Sequence, residues 1–362
     1  MYTLDDICSV ITDGSHFSPE DEGVGYPMLS VKDMGETDFD FSTCKHVGEE
    51  AYQKLLVNGC KPEVNDVVMA KDGSYLKSAF PVKKDREIAL LSSIAILRPK
   101  LEMVTPEYLS HFLKSPSLYR TVSLNYISGT ALKRVILKGI KKIPVELPTV
   151  EEQRYRTSLL NDTFRIIQLR KLQLIKLDDL IKARFVEMFG DPVSNSKGWR
   201  MMRFDSICEN LDSRRKPITA SEREAGEYPY YGASGIVDYV ADYIFDEDIL
   251  LVSEDGANLL MRSTPIAFSV SGKVWVNNHA HVVRFNDMGL QKYIEISFSM
   301  IDISDRITGS AQPKLNQAKL NAMQFPIPDK ELTDSFLEYI AQVDKSKVIN
   351  LPLIGNPPNE DS

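Results

Sequence analysis

The chain of 362 residues is long enough for two domains, and its 43% hydrophobic and 26% charged residues are those of an ordinary folded protein. The longest apolar run, 88–97, is too short to span a bilayer, and acidic residues near the start disfavour a signal peptide, so we predict a cytoplasmic protein without a membrane segment. The net charge of −8 argues only weakly against a nucleic-acid partner.

The first half of the chain, residues 1–148, alternates short apolar strands with helical segments. An apolar strand after Asp66 leads to the turn Asp72-Gly73, a second strand ends at Arg98, and 105–114 has a helical pattern. A small-residue turn at 129–131, a basic amphipathic turn of helix and a strand ending in proline complete this half. The pattern predicts a mixed α/β domain.

Positive charge is concentrated near the end of this domain. Residues 1–50 contain twelve Asp or Glu and two Lys, whereas residues 108–145 contain seven Lys or Arg and no acid. Because phosphate binding depends on local positive surface, the segment 108–145 favours a nucleic-acid partner. From charge alone, an ordinary solvated face is an equally open alternative.

Residues 149–190 are predicted to form one long helix, since they contain no proline and no glycine before Gly190. Apolar residues recur every seven positions, the pattern of a helix that meets another helix along a seam. The seam consists of Leu160, Phe164, Ile167, Leu174, Ile181 and Met188. At 1.5 Å per residue the helix would be roughly 60 Å long, which favours a spacer between two domains over a core helix of one large domain.

The second half, residues 191–328, repeats the order of motifs and predicted elements in the first half. The stretch FDSICENL follows LDDICSVI by 200 residues, and the turn Asp255-Gly256 has the context of Asp72-Gly73. The segment 309–328 likewise repeats the segment 129–148. The repeat unit is a whole domain with its helix, so we interpret the chain as a duplication rather than a solenoid.

A second, shorter helix is predicted at 329–348, followed by a proline-rich, acidic tail at 349–362 that we expect to be disordered. Its apolar residues Phe336, Ile340 and Val343 are expected to run antiparallel to the far end of the first helix. Eighteen residues reach only about 27 Å, so Leu160 and its neighbours on the seam would lack an intramolecular partner. We therefore predict that another chain, or the same helix of a second copy, covers them.

The sequence offers no pattern for catalysis or metal binding. Neither a Walker-type phosphate loop nor a Rossmann fingerprint occurs. The four cysteines form no CxxC pair, which predicts reduced thiols. His279 and His281 could supply two metal ligands, but no third is evident in the nearby sequence, so we predict no metal site.

Several motifs resemble those of the specificity (S) subunits of type I restriction–modification systems. They are Asp13-Gly-Ser-His-Phe-Ser-Pro19 with the following Gly25-Tyr-Pro-Met-Leu29, Tyr228-Pro-Tyr-Tyr-Gly-Ala-Ser-Gly235 with Asp255-Gly256, and the stretch from Ser271 to His281. The resemblance covers residues 1–348 in the order recognition domain, helix, recognition domain, helix. The second helix departs from it, because it is shorter than the first.

The resemblance implies two duplicated mixed α/β target-recognition domains, separated by a long coiled-coil-type helix, with a shorter second helix at the C-terminus. Each domain would read one half of a split site in duplex DNA. The helices would set the spacing and dock methyltransferase (M) subunits, through which restriction (R) subunits join. Methylation and cleavage would belong to those partner chains, so S-adenosylmethionine, ATP and Mg are expected on them, and this chain is expected to be a non-catalytic subunit.

Candidate DNA contacts follow from position and chemistry. Turn residues whose backbone N–H groups could receive a phosphate, with basic residues beside them, are Gly129, Thr130, Lys133, Arg134, Gly309, Ser310 and Lys314. Residues near the Asp-Gly turns or in a basic loop are Lys71, Ser74, Lys77, Arg214, Arg215, Lys216, Asn258 and Arg262. Candidate base readers are Asp13, His16, Tyr231, Asn277, Asn278 and Gln312.

Purely structural roles, without a DNA contact, remain open for these residues. The turn at 129–131 could simply close the domain, with lysines on its surface, and Asp13-Gly14 could be a tight turn in which the aspartate binds its own backbone. For the whole chain the alternative to a DNA-specificity subunit is a scaffold whose two paralogous domains recognise protein rather than DNA.

Overall fold

The computed structural model describes residues 1–73, 76–128, 134–309 and 312–349. The chain divides into two compact units, Met1–Gln168 (the first unit) and Leu169–Ser362 (the second unit). The division falls inside one continuous helix, which contributes residues to both units.

The first unit begins with a series of short strands and helices. In chain order they are β1 Tyr2–Thr3, α1 Leu4–Ile7, β2 Cys8–Asp13, β3 Tyr26–Leu29, β4 Lys45–Val47, α2 Glu49–Val57, β5 Val67–Ala70, β6 Ala79–Pro81, β7 Ala89–Leu90, β8 Ile94–Pro99, α3 Pro106–Leu113, α4 Pro116–Asn125, β9 Ile127–Ser128, β10 Arg134–Val135, α5 Leu137–Lys141, β11 Pro144–Val145 and the long helix α6 Val150–Phe189.

The second unit continues from the end of α6. Its elements are β12 Arg200–Arg203, β13 Glu209–Asn210, β14 Ala225–Gly232, β15 Gly235–Val240, β16 Phe245–Asp246, β17 Ile249–Ser253, α7 Asn258–Met261, β18 Ala267–Val270, β19 Lys273–Val276, β20 Ala280–Arg284, α8 Met288–Met300, α9 Gln317–Asn321, β21 Gln324–Ile327 and the C-terminal helix α10 Lys330–Ile349.

The two units share one topology. A four-stranded antiparallel sheet has the order β2-β8-β5-β6 in the first unit and β13-β20-β17-β18 in the second. A second sheet, β4-β3-β7 or β15-β14-β19-β16, contains one parallel pair in each case. A two-stranded ladder, β1-β11 or β12-β21, pairs the first strand of each unit with its last strand. The duplication inferred from sequence is therefore present in the fold.

The central strands β5 and β17 explain why their sequences are apolar throughout. Every residue of both strands is buried. Val67 and Met69 pack into one hydrophobic cluster and Val68 into another, because alternate side chains of a strand point to opposite faces. Leu250 and Leu251 are divided between two clusters in the same way. Each fully buried side chain of this size stabilises its unit by about 1.5–3 kcal/mol.

The long helix α6 ends at identifiable signals. At its start the Thr149 Oγ1 accepts a hydrogen bond from the Glu152 N–H at 3.3 Å. At its end Gly190 has φ +78°, a left-handed conformation that glycine adopts readily and that stops a helix. The Trp199 indole N–H donates to the carbonyl oxygen of Phe189 at 2.9 Å and satisfies one of the last helical carbonyls.

Within the second unit, α10 runs antiparallel to the end of α6. The Phe336 ring lies 5.7 Å from the Phe185 ring and 5.1 Å from the Phe189 ring, whereas Lys347 forms an ion pair with Asp178 at 2.8 Å. Residue numbers therefore increase along one helix as they decrease along the other. The apolar residues of the seam that enter this core are Ile181, Phe336, Ile340 and Val343, while Leu174 and Met188 are half-buried.

One expectation about the seam in the first unit needs correction. Phe164 is not without a partner, since its ring stacks on His111 at 6.0 Å with an interplanar angle of 28°. His111 is held in turn by Asn161, whose Oδ1 lies 2.9 Å from the ring Nε2. Leu160 and Phe164 are still 43% exposed, and Ile167 is half-buried. Residues of the tail from 350 onward lie outside the described residues.

None of the helices in the described ranges combines the length and apolar character that a membrane crossing requires.

Candidate nucleic-acid interface

In the first unit, four segments that are distant in sequence meet at one end of the four-stranded sheet β2-β8-β5-β6. We call this group of segments the first edge; it consists of residues 13–16, 71–73, 92–93 and 134–135. The Lys71 N–H donates to the Ser93 carbonyl at 3.0 Å, and the Val135 N–H donates to the Lys71 carbonyl at 2.9 Å. Asp72 pairs with Arg134 in an isolated antiparallel bridge. The Asp-Gly turn and the basic residue Arg134 are therefore neighbours.

The second unit builds a corresponding second edge from residues 212–216, 254–256, 278–281 and 312–315. The Glu254 N–H donates to the His279 carbonyl at 2.9 Å, and the Leu315 N–H donates to the Glu254 carbonyl at 2.8 Å. Asp255 pairs with Lys314 in an isolated bridge, as Asp72 does with Arg134. The backbone contacts thus place Lys314 where the first unit places Arg134.

Beneath the first edge lies a buried ion pair. The Lys71 ammonium is 3.1 Å from Asp13 Oδ2, and both side chains are more than 90% buried. The exposed His16 lies beside the same carboxylate, with Nε2 at 3.5 Å from Asp13 Oδ1. Lys71 was expected to contact DNA, but its burial and its pairing with Asp13 assign it to the support of the edge.

Beneath the second edge lies a larger ionic network. Arg215 donates to Glu254 Oε2 at 2.6 Å and to the Ala280 carbonyl at 2.7 Å. His281, which is 1% exposed, has Nδ1 at 2.6 Å from Asp212 Oδ2. Arg215 was also predicted to contact DNA; its half-buried side chain binds two partners within the unit, and the DNA contact stays an untested prediction.

The carboxyl groups of this network stay ionised despite their burial. Burial raises the pKa of Asp212, but the hydrogen bond from His281 and the adjacent charges lower it further, so the net shift is downward. Burial likewise raises the pKa of Glu254, whereas bonds from Arg215 and Lys314 bring it below its usual range. Both carboxylates therefore act as hydrogen-bond acceptors at neutral pH.

Asp212, Glu254 and His281 each offer a ligand-type atom, and these atoms lie within 4.8 Å of one another. However, cations of the chain already bind the carboxylates. Arg215 lies 2.6 Å and Lys314 2.9 Å from the two oxygens of Glu254, and Arg215 lies 3.4 Å from Asp212. The geometry is thus that of an ion-pair network and not of a metal centre.

Three further predicted contacts are occupied within the fold. Asn277 is 6% exposed, and its Oδ1 accepts from the His279 N–H at 2.8 Å. Asn258 binds the backbone of Thr264 with both its amide nitrogen and its oxygen. Arg262 donates to the last carbonyls of α8 and so caps that helix. These side chains shape the second unit through bonds within the fold, and a direct contact with DNA stays an untested prediction for them.

The remaining candidates in the described residues are accessible to different degrees. Those with exposed side chains or backbone are His16, Lys77, Arg134, Arg214, Lys216, Asn278, Gly309, Gln312 and Lys314. Arg214 is bound to Glu247 at 2.6 Å and lies over the Phe245 ring, and Tyr231 is half-buried against Phe268. Predicted contacts at Ser74, Gly129, Thr130, Lys133 and Ser310 lie outside the described residues.

The turn at Gly309 requires glycine for two reasons. Its φ is +83°, and a Cβ atom there would lie 2.4 Å from the Gln312 carbonyl oxygen. A side chain would therefore be strained and would push apart the segment that carries Gln312 and Lys314.

The network around His281 was missed by sequence reasoning. Asp212, Glu254 and His281 come from three separate segments, so their spacing has no motif to recognise. The repeat offered one signal, since Glu254 precedes Asp255-Gly256 just as Lys71 precedes Asp72-Gly73. The residue before the turn is thus acidic in one unit and basic in the other. This difference indicates that Glu254 and Lys71 each have their own ion-pair partner within their unit.

The second unit is expected to lose stability in acid because of this network. The contribution of Asp212 and Glu254 is fully present above their ordinary pKa values, 3.8 and 4.5, and is lost as pH falls through their lowered values. Asp212→Asn should reduce the free energy of unfolding at pH 7 by roughly 1–3 kcal/mol and flatten its decline in acid. Urea unfolding followed by tryptophan fluorescence measures this unit specifically, because both tryptophans, Trp199 and Trp275, belong to it.

The matched control for this prediction is Glu338→Gln, which neutralises an exposed carboxylate on α10. Its unfolding should follow the unmodified chain at every pH. An acid profile that is the same for Asp212→Asn and the unmodified chain would contradict the assigned role of the network.

Comparison with known proteins agrees with this architecture. Residues 196–350 match the family described as the type I restriction modification DNA specificity domain. A putative type I restriction enzyme specificity subunit of Haemophilus influenzae is 34% identical over 124 residues, which are 34% of this chain and 32% of that protein. The MjaVIII specificity subunit of Methanocaldococcus jannaschii is 22% identical over 340 residues, covering 80% of this chain and 79% of that one.

The matched stretches cover 32% and 49% of the first two curated relatives, so neither is matched over two thirds of its length. The crystal structure of an S subunit from M. genitalium superposes with a TM-score of 0.52 at 14% identity, over 96% of this chain and 91% of that one. A chain from a study of complex assembly in the type I R-M system gives the same TM-score and identity, over 96% and 90%. The resemblance to type I specificity subunits and the predicted fold class are confirmed.

Proposed function

We propose, from this resemblance, that the chain is the DNA-specificity subunit of a type I restriction–modification complex and that each unit reads one half of a bipartite duplex site. The observation that carries the proposal is the repeated edge. Arg134 and Lys314 occupy corresponding positions beside corresponding Asp-Gly turns, and both are exposed. Exposed cations at a fixed place on two similar domains suit the phosphates of two half-sites.

The chain on this proposal binds and positions but does not catalyse. Base readout would fall to exposed polar side chains beside those cations, among them His16 in the first unit and Asn278 and Gln312 in the second. The helices α6 and α10 would set the spacing between half-sites and dock the M subunits, with R subunits joining through them. S-adenosylmethionine, ATP and Mg would be bound by those partners.

The test of DNA binding is the double variant Arg134→Ala with Lys314→Ala, studied in the full chain with its methyltransferase partner. Removing two phosphate contacts should weaken binding to all duplexes and reduce the slope of log affinity against log salt by up to about 1.8. The preferred sequence should not change, because phosphate contacts carry no direct sequence information.

The charge-matched control is Lys84→Ala with Lys197→Ala, two exposed lysines outside both edges. It should leave the salt slope unchanged. Relaxed discrimination at defined bases in the edge variant would make Arg134 or Lys314 a base reader. Failure of the unmodified complex to prefer any duplex DNA would favour the alternative of a protein-binding scaffold.

A further inference from the structure

His281 connects three segments of the second edge. The residue lies on β20 and is 1% exposed. Its Nδ1 is 2.6 Å from Asp212 Oδ2 and 3.7 Å from Glu254 Oε2, and its Nε2 is 2.8 Å from the Leu315 carbonyl oxygen. Those partners belong to the turn after β13, the turn after β17 and the segment before α9.

The two closest partners are both acceptors. Asp212 is ionised, since its oxygens also accept from the Val282 N–H at 2.8 Å and lie 3.4 Å from Arg215. A carbonyl oxygen can only accept. A neutral imidazole has one N–H, so only the doubly protonated ring donates to Asp212 and Leu315 together.

The charged groups around the ring come from each element packed against it. The turn after β13 contributes Asp212 and Arg215, and the turn after β17 contributes Glu254. The segment before α9 contributes Lys314, which is directed at Glu254 at 2.9 Å. The two carboxylates, Asp212 and Glu254, lie 2.6 Å and 3.7 Å from the imidazole Nδ1.

The first unit has no histidine at the corresponding strand position, which is occupied by Ala95. Ala95 faces Asp13 on one side and Met69 on the other, whereas His281 faces Val252, the residue that corresponds to Met69. Continuing the pairing of Asn210 with Val283 places Asp212 opposite His281, as Asp13 is opposite Ala95. At the same position of the same sheet, one unit thus has an imidazole and the other a methyl group.

We propose that His281 is a positioning residue for DNA recognition by the second unit, and that its protonation makes reading of one half-site, but not of the other, dependent on pH. The proposal rests on the proposed function. The segments that the ring ties together carry the exposed Lys216, Gln312 and Lys314. When the ring loses a proton, one of its two acceptors loses its donor, and these segments are no longer held in register. The contribution is present at lower pH and is lost as pH rises.

The experiment measures binding by the full chain with its methyltransferase partner to duplexes in which one half-site at a time is scrambled. Affinity for the intact site should fall on the order of tenfold as pH rises and the ring loses its second proton. The fall should persist when the half-site of the first unit is scrambled and disappear when that of the second is scrambled. His281→Asn and His281→Gln, whose amides donate only from one nitrogen and do not titrate, should both flatten the profile.

The matched control is His46→Asn, which changes a histidine on β4 of the first unit, outside the four segments of the first edge, and should keep the pH profile of the unmodified chain. The ring proton can be followed directly by labelling the five histidines at Cε1 and identifying the His281 signal by its loss in His281→Asn. Its titration midpoint should coincide with the midpoint of the fall in affinity.

The outcomes separate this inference from the function on which it rests. Specific binding whose pH profile survives both His281 variants, or whose pH dependence follows the half-site of the first unit, overturns the role of His281 alone. Absence of specific binding at every pH overturns the proposed function as well. If one His281 variant unfolds, as circular dichroism would show, the other variant and the ring titration still decide.

Discussion

If each unit reads one half-site as proposed, exchanging the first unit for the corresponding domain of a type I specificity subunit with a different target should change one half of the methylated sequence and leave the other half as it was. The hydrophobic clusters of the first unit draw on residues 4–147 and those of the second on residues 177–343. Each edge is also supported by its own ion pairs, Asp13 with Lys71 and Arg215 with Glu254. Two separately supported readers should therefore be exchangeable one at a time.

The structure defines where the exchange should end. Gln153, at the start of α6, is buried, and its side chain accepts from the Thr105 N–H and donates to the carbonyls of Met103 and Pro148. Thr157, one turn later, is buried as well. A junction at 148 would separate these residues from the domain on which they pack, so the exchanged segment should be residues 1–157.

Mapping methylated adenines in DNA from cells that carry the hybrid and its methyltransferase partner gives the result. The expected motif is bipartite, with the half of the first unit replaced completely. The reciprocal exchange of residues 177–343, which keeps the hydrophobic core of the second unit together, is the control and should replace the other half. A hybrid that alters both halves, or neither, would show that the units do not read independently.

The fold was largely predictable because its signals are local and are repeated. The strand around Val67 and the strand of His281 are apolar runs bounded by turn residues, and each has a counterpart in the other half of the chain. The ends of α6 follow from Thr149 and Gly190, whose effects act within one helical turn. A duplicated pattern gives each such signal twice, which makes it easier to recognise.

The contacts at the edges were less predictable, because they depend on packing between distant segments. Lys71 and Arg134 are both basic residues near a turn, yet Lys71 is buried and Arg134 is exposed. Nothing in the local sequence of Lys71 indicates Asp13 as its partner 58 residues earlier. For the same reason Arg262 looked like a candidate for DNA, although it caps a helix that begins 26 residues later.

The heptad pattern of α6 identified one apolar face of the helix but not a second one. Tyr155, Leu159 and Ile166 are spaced by four and seven residues, so they lie along one side of the helix. They are 66%, 51% and 56% exposed, more than Leu160 or Phe164 on the predicted seam. A contiguous stripe of large apolar side chains on the surface of a folded domain usually marks a surface that another protein covers.

On the proposed function, we therefore expect the double variant Leu159→Asp with Ile166→Asp to lose binding to the proposed methyltransferase partner by on the order of a hundredfold or more. Full burial of each side chain in an interface is worth about 1.5–3 kcal/mol, and an aspartate in its place would bury an unpaired charge. The stripe lies on the outer face of α6, so the first unit should remain folded. Circular dichroism and thermal unfolding check that it does.

The control variant adds the same two negative charges to α6, but on a different face of the helix. Asn161→Asp with Gln168→Asp introduces two aspartates at exposed positions of α6 that are not three or four residues from any residue of the stripe, and it should assemble normally. Sedimentation of each chain, alone and with the methyltransferase partner, shows whether a second copy of the chain or that partner covers the stripe. If the unmodified chain self-associates and only the stripe variant becomes a monomer, a second copy covers the stripe in the absence of the methyltransferase subunits. If the unmodified chain is a well-behaved monomer and the stripe variant still binds its partner, α6 is not the docking surface, and its exposed apolar side chains face solvent in the assembled complex.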